Sequence, residues 1–236
     1  MKRIAVVILN WNGIELLKKF IPNTINNSEQ ANIYVIDNFS EDDSVDLVFT
    51  SPPDLFDIGT DDIGVYQDFL AKVMGEFDRI VKDNGFIVMC QSDRKIDGTV
   101  YVKHAFIINH MLSLGWVLKD YKIIVKNSID SMNQFIFPYQ HMCVFSVSGT
   151  IERKGEWQKH ILVYKTQKSK FTYYIWHEAF CKLVISNLTK ENDLIVDPFG
   201  GSSQVLQCAK ELNRQYLGCE IDKEVYETAI IRNSLI

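Results

Sequence analysis

The chain has 236 residues and 47% of them are hydrophobic, which is enough for one sizeable core and at most two domains. The formal net charge of −5 argues against binding a polyanion over the whole surface. The five cysteines form no CxxC pair, so we expect reduced core cysteines, no metal site and a cytoplasmic location. No signal peptide opens the chain and its apolar runs are too short to cross a membrane, so we expect no membrane partner.

Residues 1–44 are predicted to form a β-α-β segment, with strands over residues 4–9 and 33–36 and a helix over residues 14–25. The stretches IAVVILNWNG and IYVIDNFSEDDSV resemble the opening of family 2 glycosyltransferases, which implies that Asp37 holds the nucleotide of a sugar donor. The metal-binding Asp-x-Asp of that family has no counterpart here. We therefore interpret the segment as fused or repurposed, with the open alternative that its second strand belongs to the sheet that follows.

A buried strand is predicted for the alternating run VDLVFT, residues 45–50, and it is followed by Ser51 and two prolines. Pro52 and Pro53 stop sheet pairing and force the chain into an extended excursion at the carboxyl end of the strand. Ser51 offers a hydroxyl group there, and Pro52 offers a backbone carbonyl without an N–H. This pattern favours binding of a group that carries an amine.

The central part of the chain is predicted to alternate helices and strands. A helix over residues 65–82 is expected to face the sheet with Val65, Phe69, Val73 and Phe77, because these residues are spaced by four. The further predicted elements are a strand over 85–90, a helix over 105–114, and an antiparallel hairpin of strands 117–125 and 142–147. The amides of Asn127, Asn133 and Gln134 lie in the hairpin loop, where we interpret them as turn residues, with base recognition as the alternative.

The stretch DLIVDPFGGSSQVLQCAKELNRQYLGCEID, residues 193–222, is predicted to form a strand, a glycine turn, a helix and a second strand. The absence of side chains at Gly200 and Gly201 lets a ligand approach the backbone and the helix N-terminus. Glu220 ends the second strand, where an acid binds the ribose hydroxyls in nucleotide sites. The pattern indicates an adenosine-type ligand, and the alternative is a turn whose glycines serve only close packing.

The Ser51-Pro52-Pro53 turn and the stretch Asp197-Pro198-Phe199-Gly200-Gly201-Ser202-Ser203 together resemble the S-adenosylmethionine-dependent DNA amino-methyltransferases. These enzymes modify cytosine N4 or adenine N6, and the catalytic-before-cofactor order is similar to that of their permuted group. The resemblance spans residues 45–236 and implies a Rossmann-like, doubly wound α/β methyltransferase sheet with an antiparallel closing hairpin.

The resemblance also implies roles for particular residues. The catalytic residues would be Ser51, Pro52, Pro53, Asp54 and Phe56. The residues that hold S-adenosyl-L-methionine would be Asp197, Phe199, Gly200, Gly201, Ser202, Glu220 and His177, although His177 can also be read as a histidine with its bonds satisfied at an interface. The family has an aromatic residue after the prolines where this chain has Asp54, so Phe56 would take over base stacking or the site is weakened.

Basic side chains are concentrated in residues 91–170, whereas the flanking segments are acidic. The predicted contacts to the phosphates of double-stranded DNA are Arg94, Lys95, Lys103, His104, Arg153 and Lys154. The alternative is a solvated basic face without a partner. In the family the interval at about 150–175 holds the target-recognition segment, and its shortness here predicts a short target or help from a partner.

Methyl transfer to a DNA base is thus the function that the sequence favours, with cytosine N4 slightly ahead of adenine N6 because a serine precedes the prolines. An inactive cofactor- or DNA-binding remnant and a glycosyltransferase fragment are the alternatives. A homodimer or a cognate restriction enzyme is a further expected partner.

Overall fold

The computed structural model describes residues 4–10, 31–37, 45–126, 137–164, 167–168 and 174–234. The chain divides into two compact units, residues 1–44 and 45–236. In the first unit, strands β1 (Ile4–Asn10) and β2 (Ala31–Asp37) pair in parallel. The helix predicted over residues 14–25 lies outside the described residues.

The second unit is built on a seven-stranded sheet with the order β13-β12-β3-β4-β8-β7-β9. Its strands are β3 (Val45–Thr50), β4 (Val81–Gln91), β7 (Val117–Val125), β8 (Tyr139–Ser146), β9 (Ile161–Val163), β12 (Leu194–Asp197) and β13 (Gln215–Gly218). Only β8 runs against the other six. The carboxyl ends of the other strands therefore share one edge of the sheet.

Two small antiparallel pairs lie outside this sheet: β5 (Arg94–Ile96) with β6 (Thr99–Tyr101), and β10 (Gln167–Lys168) with β11 (Tyr174–Ile175). The β5–β6 hairpin turns at Asp97 and Gly98, whose φ angles are 49° and 81°. An Asp-Gly pair suits such a two-residue turn because both positions require positive φ. The dipeptide would have predicted this hairpin from the sequence.

Among the described residues of the second unit, the helices are α1 (Ile63–Ile80), α2 (Lys103–Ser113), α3 (Glu178–Leu188), α4 (Gln204–Glu211) and α5 (Lys223–Ser234), and a 3-10 turn covers Gly155–Gln158. Asp62 caps the N-terminus of α1, where its carboxylate accepts the backbone N–H groups of Gly64 and Val65. In the described residues no helix is long and apolar enough to cross a membrane.

Both faces of the sheet are covered by helices, because the parallel strands alternate their side chains between two hydrophobic clusters. Leu47, Phe49 and Val88 face α3 and α4, whereas Val48 and Ile87 face α1 and α2. This doubly wound arrangement and the antiparallel β7–β8 pair confirm the predicted fold class. Strand β9 adds a parallel partner beyond the hairpin, pairing Ile123 with Ile161.

The buried stripe of α1 differs from the predicted one. Tyr66, Leu70, Met74 and Phe77 are buried, whereas Val65 is 52% exposed. Phe69, Val73 and Phe77 nevertheless pack against the core as predicted, and of the predicted stripe only Val65 is mostly exposed.

Candidate active site

The two sequence motifs lie side by side at the carboxyl edge of the sheet. Strand β12 pairs with β3 in parallel, with Val196 opposite Val48. Just beyond this pairing, the Thr50 hydroxyl donates a 2.7 Å hydrogen bond to Oδ1 of Asp197, 147 residues along the chain. The catalytic-type turn and the glycine turn therefore start from adjacent strand ends.

Asp197 is a buried carboxyl group at this junction, with 4% of its surface exposed. Burial raises its pKa to about 7, and hydrogen bonds from the Thr50 hydroxyl and the Phe199 N–H partly oppose that rise. Nearby Glu220 adds negative charge and raises the pKa further. The site therefore contains a carboxyl group that exchanges its proton close to neutral pH.

The glycine turn is tied by hydrogen bonds to the residues that follow strand β13. The Gly200 N–H donates to the Cys219 carbonyl at 2.8 Å, and the Gly201 N–H donates to Oε2 of Glu220 at 2.8 Å. Gly201 has a φ of 50° and open space where a Cβ would stand, whereas a Cβ at Gly200 would lie 3.2 Å from the Cys219 oxygen. The turn thus favours glycine at position 201 for its conformation and leaves room for a ligand above it.

The remaining predicted cofactor residues surround this turn. Ser202 is half-buried within it, and Phe199 packs against Phe69 with ring centroids 6.1 Å apart. His177 caps helix α3, where its Nδ1 accepts the Ala179 N–H at 3.2 Å. The adjacent Trp176 stacks on Phe49 of strand β3, with ring centroids 5.0 Å apart. The start of α3 therefore lies at the same edge as the glycine turn.

The proline turn is held by two side chains that the sequence did not single out. Gln91, at the end of β4, donates from Nε2 to the Pro52 carbonyl at 3.2 Å and to the Tyr66 hydroxyl at 3.0 Å. The Tyr66 hydroxyl donates in turn to the Pro53 carbonyl at 2.9 Å. Both prolyl carbonyls are thus fixed, while Ser51 remains partly exposed in front of them.

Asp54 forms ion pairs with two of the predicted DNA-contacting residues. Its carboxylate lies 2.9 Å from Arg94 Nη1 and 3.1 Å from Lys103 Nζ. Lys103 is only 3% exposed, and burial lowers the pKa of its ammonium group although Asp54 opposes the change. The Arg94 guanidinium also lies 4.8 Å above the ring of Phe56, which is 48% exposed. Asp54, Arg94 and Phe56 therefore form one connected surface beside the proline turn.

The other predicted DNA contacts are distributed over both edges of the sheet. Lys95 is exposed on the β5–β6 hairpin, next to Arg94. Arg153 donates to the Lys119 carbonyl, and Lys154 pairs with Glu152. These two residues follow the carboxyl end of the reversed strand β8, so they lie at the edge opposite the proline turn.

His104 belongs to a cluster that the sequence did not predict. Its Nδ1 lies 2.8 Å from Oδ1 of Asp93, and its ring stacks on that of His141 with centroids 3.6 Å apart. His141 Nε2 lies 3.3 Å from Oδ2 of Asp93, and its Nδ1 contacts the Tyr121 hydroxyl. Three separate elements supply these groups, which is why spacing along the chain gave no signal.

Comparison with known sequences identifies related proteins. The N6_N4_Mtase family, described as DNA methylase, matches residues 151–231. The orphan methyltransferase M.BamHII of Bacillus amyloliquefaciens is 24% identical over 239 residues, which cover 80% of this chain and 88% of that protein. The type II methyltransferase M.HindIII of Haemophilus influenzae is 45% identical over 51 residues, which are 22% of this chain but only 16% of that protein.

Comparison with solved structures gives the same fold. The cytosine-N4-specific PvuII DNA methyltransferase superposes with a TM-score of 0.68 at 17% identity over 85% of each chain. A Thermus thermophilus protein, crystallised with S-adenosyl-L-methionine as a candidate DNA modification methylase, has a TM-score of 0.66 at 19% identity and covers 100% of this chain and 94% of its own. These structures confirm the predicted fold, and the match of the DNA methylase family to residues 151–231 bears out the resemblance to the DNA amino-methyltransferases.

Proposed function

Because the chain shares the motifs and the fold of the DNA amino-methyltransferases, we propose that it transfers a methyl group from S-adenosyl-L-methionine to an exocyclic amine of a base in double-stranded DNA. The observation that carries this proposal is the 2.7 Å hydrogen bond between Thr50 and Asp197. It joins the start of the Ser51-Pro52-Pro53 turn to the start of the glycine turn, so a methyl donor and an amine can meet between them.

The residues around the glycine turn fit the cofactor. Glu220 offers a carboxylate to the ribose hydroxyls, Asp197 would support the turn from beneath through its hydrogen bonds with Thr50 and the Phe199 N–H, and the space above Gly201 is open. Phe199, Gly200 and Ser202 would complete the binding surface, with His177 holding the start of α3 in place through its cap. When bound, the cofactor supplies an activated methyl group on a sulfonium.

The proline turn fits the role of amine acceptor. An exocyclic amine is a poor nucleophile because its lone pair is delocalised into the base. Ser51 Oγ and the Pro52 carbonyl would accept its two hydrogens and favour the pyramidal geometry in which the lone pair is free. The Pro52 oxygen has two lone pairs, so it can accept from the amine as well as from Gln91. Formation of the nitrogen–carbon bond would be matched by loss of the carbon–sulfur bond, whose electron pair stays on sulfur, and the nitrogen would lose one proton to water.

The surface made by Phe56 and Arg94 fits the role of stacking platform for a base rotated out of the duplex. The Phe56 ring is half exposed and already carries a planar guanidinium on one side. Rotating the base out of the stack costs a few kcal/mol, and stacking returns about 1–3 kcal/mol. Asp54 would then orient Arg94 rather than touch the base.

Cytosine N4 is our first choice of target, supported by the serine before the prolines and by the fold shared with a cytosine-N4-specific enzyme. Adenine N6 is the alternative. A segment at about 150–175 would recognise the target, and a second copy of the chain or a cognate restriction enzyme would be its partner in the cytoplasm.

A catalytically silent binding module is the second candidate, because Asp54 stands where the family has an aromatic residue and already pairs with Arg94 and Lys103. Incubation of the protein with unmethylated DNA and labelled S-adenosyl-L-methionine, followed by nucleoside mass analysis, separates the two. N4-methylcytosine or N6-methyladenine is expected and identifies the base. Bound cofactor without label in DNA would refute the enzyme and support the binding module.

A further inference from the structure

Gln91 is a buried amide at the end of β4 whose hydrogen-bonding capacity is fully used. Its Nε2 donates to the Pro52 carbonyl at 3.2 Å and to the Tyr66 hydroxyl at 3.0 Å. Its Oε1 accepts the Ser92 N–H at 3.0 Å and Lys103 Nζ at 3.3 Å. An amide offers two hydrogens and two lone pairs, so each of them has a partner.

The two donors that face Oε1 fix the orientation of this amide. The Ser92 N–H and the Lys103 ammonium group can donate but cannot accept. If the amide were rotated by half a turn, its NH₂ group would face both donors and its oxygen would face the Pro52 carbonyl. Lys103 is itself held in place, because it is 3% exposed and its Nζ lies 3.1 Å from the Asp54 carboxylate. The Gln91 donor is therefore directed at Pro52.

We propose that Gln91 is a positioning residue for methyl transfer, which aims the Pro52 carbonyl at the amine, and that Lys103 acts through Gln91 rather than on a DNA phosphate. This inference rests on the proposed function. Gln91 takes one of the two lone pairs of the Pro52 oxygen. The other lone pair and Ser51 Oγ then give two acceptors, which matches the two hydrogens of an exocyclic amine.

Tyr66 extends the same set of hydrogen bonds to the second proline. Its hydroxyl accepts from Gln91 and donates to the Pro53 carbonyl at 2.9 Å. Tyr66 is fully buried, and burial together with the nearby Asp54 carboxylate raises the pKa of the hydroxyl well above its usual range. The hydroxyl therefore keeps the hydrogen that it donates, and one chain of bonds holds two successive carbonyls.

A purely structural tie between β4 and the proline turn is the alternative role. It predicts that Gln91 variants lose stability but that the folded fraction transfers methyl groups at the normal rate. Two variants separate the roles. Gln91→Leu removes the amide and keeps an apolar side chain of similar size, whereas Gln91→Glu keeps the shape and the acceptor for Lys103 but has no hydrogen to donate to Pro52.

The direction of the Pro52 carbonyl can be followed without any enzymatic assay. Pro52 and Pro53 are the only adjacent prolines in the chain. If all prolines carry ¹³C at the carbonyl and ¹⁵N, only the Pro52 carbonyl carbon is bonded to a labelled nitrogen, which identifies its NMR signal. Loss of a hydrogen bond to the oxygen should move this signal upfield in Gln91→Leu. An unmoved signal in the folded variant would overturn the proposal.

Single-turnover transfer to DNA tests the catalytic consequence. The rate should fall about 10- to 100-fold in both Gln91→Leu and Gln91→Glu, because a small misplacement of a group that contacts the substrate costs up to about 100-fold. Binding of S-adenosyl-L-methionine should stay unchanged, since the hydrogen bonds of Gln91 reach the proline turn and not the glycine turn.

Thr189→Val is the matched control for these variants. The Thr189 hydroxyl makes a buried 2.7 Å hydrogen bond to the Ile185 carbonyl at the end of α3, opposite the end that His177 caps. Its loss should lower stability and leave transfer by the folded protein unchanged. Equal losses of transfer in Thr189→Val and the Gln91 variants would overturn the proposal, as would wild-type rates in both Gln91 variants.

Lys103→Met tests whether Lys103 acts through Gln91. Without the ammonium group the amide can rotate, so the Pro52 signal should move in the same direction as in Gln91→Leu and transfer should fall. The salt dependence of DNA binding should stay that of wild type, because Lys103 is buried. A slope of log K against log salt that is smaller by about 0.9 would make Lys103 a phosphate contact and overturn this role.

The two measurements distinguish failure of this inference from failure of the proposed function. Wild-type protein that transfers no methyl group would overturn the proposed function, and the catalytic role of Gln91 with it. Active wild-type protein with an unmoved Pro52 signal or undiminished Gln91 variants would overturn the positioning role alone.

Discussion

At the scale of single residues, the raised pKa of Asp197 predicts that the stability of the fold depends on pH. Its pKa of about 7 in the folded chain is above the ordinary value of 3.8. The folded state therefore holds a proton that the unfolded state has released between these two pH values. Stability should fall as pH rises across that interval, and it should level off above the folded pKa.

The variant Asp197→Asn isolates this effect because the amide cannot titrate and its oxygen can still accept from Thr50. Wild-type protein should lose stability relative to the variant by up to about 1.4 kcal/mol per pH unit between about pH 5 and 7. Urea unfolding at a series of pH values across and above this interval measures the difference. Parallel pH profiles for the two proteins would show that Asp197 ionises normally in the fold.

Phe56 is the residue on which the stacking hypothesis depends. Phe56→Ala should lower methyl transfer to DNA roughly 10- to 100-fold, because stacking on an aromatic ring contributes about 1–3 kcal/mol per base. Cofactor affinity should stay the same, since Phe56 does not line the glycine turn. Single-turnover transfer and equilibrium binding of S-adenosyl-L-methionine measure the two effects.

Leu112→Ala is the control for this experiment, because Leu112 is also 48% exposed and lies at the far end of α2. Transfer by Phe56→Ala at the wild-type rate would remove Phe56 from the stacking role. Equal losses in both variants would point to a general surface effect.

At the scale of elements, the packing of α4 against β12 and β13 positions the glycine turn. A Cβ added to Gly218 would stand 2.3 Å from Leu206 Cδ1 and 3.0 Å from the Asp197 carbonyl oxygen. Strand β13 can therefore lie this close to the turn only with glycine at this position.

Gly218→Ala should lower the free energy of unfolding by about 1–3 kcal/mol, since Leu206 must leave its packed position. The matched change is Gly75→Ala in α1, where a Cβ meets nothing within 4 Å and helix propensity should raise stability by about 0.5–1 kcal/mol. Urea midpoints of the two variants should thus move in opposite directions. A Gly218→Ala midpoint equal to that of wild type would mean that Leu206 can leave its packed position without a loss of stability.

Element boundaries also show what sequence patterns miss. The second strand of the stretch 193–222 was predicted to end at Glu220, but it ends at Gly218 and Ile221 is fully exposed. The stripe of α1 includes Tyr66, whose hydroxyl bonds the Pro53 carbonyl. A periodic pattern does not show which of two adjacent helix faces is buried, because that depends on which residue finds a partner elsewhere in the fold.

At the scale of the whole molecule, the basic middle of the chain is partly neutralised by its own contacts. Arg94 and Lys103 both pair with Asp54, which lies outside residues 91–170. The net charge of the segment therefore overstates the charge available to DNA. Lys95 and Lys154 are exposed cations at opposite edges of the sheet.

These two lysines test which edge meets DNA. Each phosphate contact adds about 0.9 to the slope of log K against log salt, so Lys95→Ala should reduce the magnitude of that slope by about 1. Lys154→Ala should leave the slope unchanged, because Lys154 lies away from the proline turn and pairs with Glu152. DNA binding measured across a salt series gives both values. The reverse result would place the DNA at the other edge.

The sequence by itself determined the two motifs and their order, because strand alternation and turn-forming glycines and prolines are local properties. The doubly wound fold was predicted through the family resemblance that these motifs carry. The roles assigned to Ser51, Asp197 and Glu220 rest on the same local patterns and stay predictions. Only the tertiary structure brought Gln91 and Tyr66 to the proline turn, paired Asp54 with Arg94 and Lys103, and joined Asp93 to two histidines. Such contacts depend on strand order and register, which decide the neighbours of residues that are far apart in the chain.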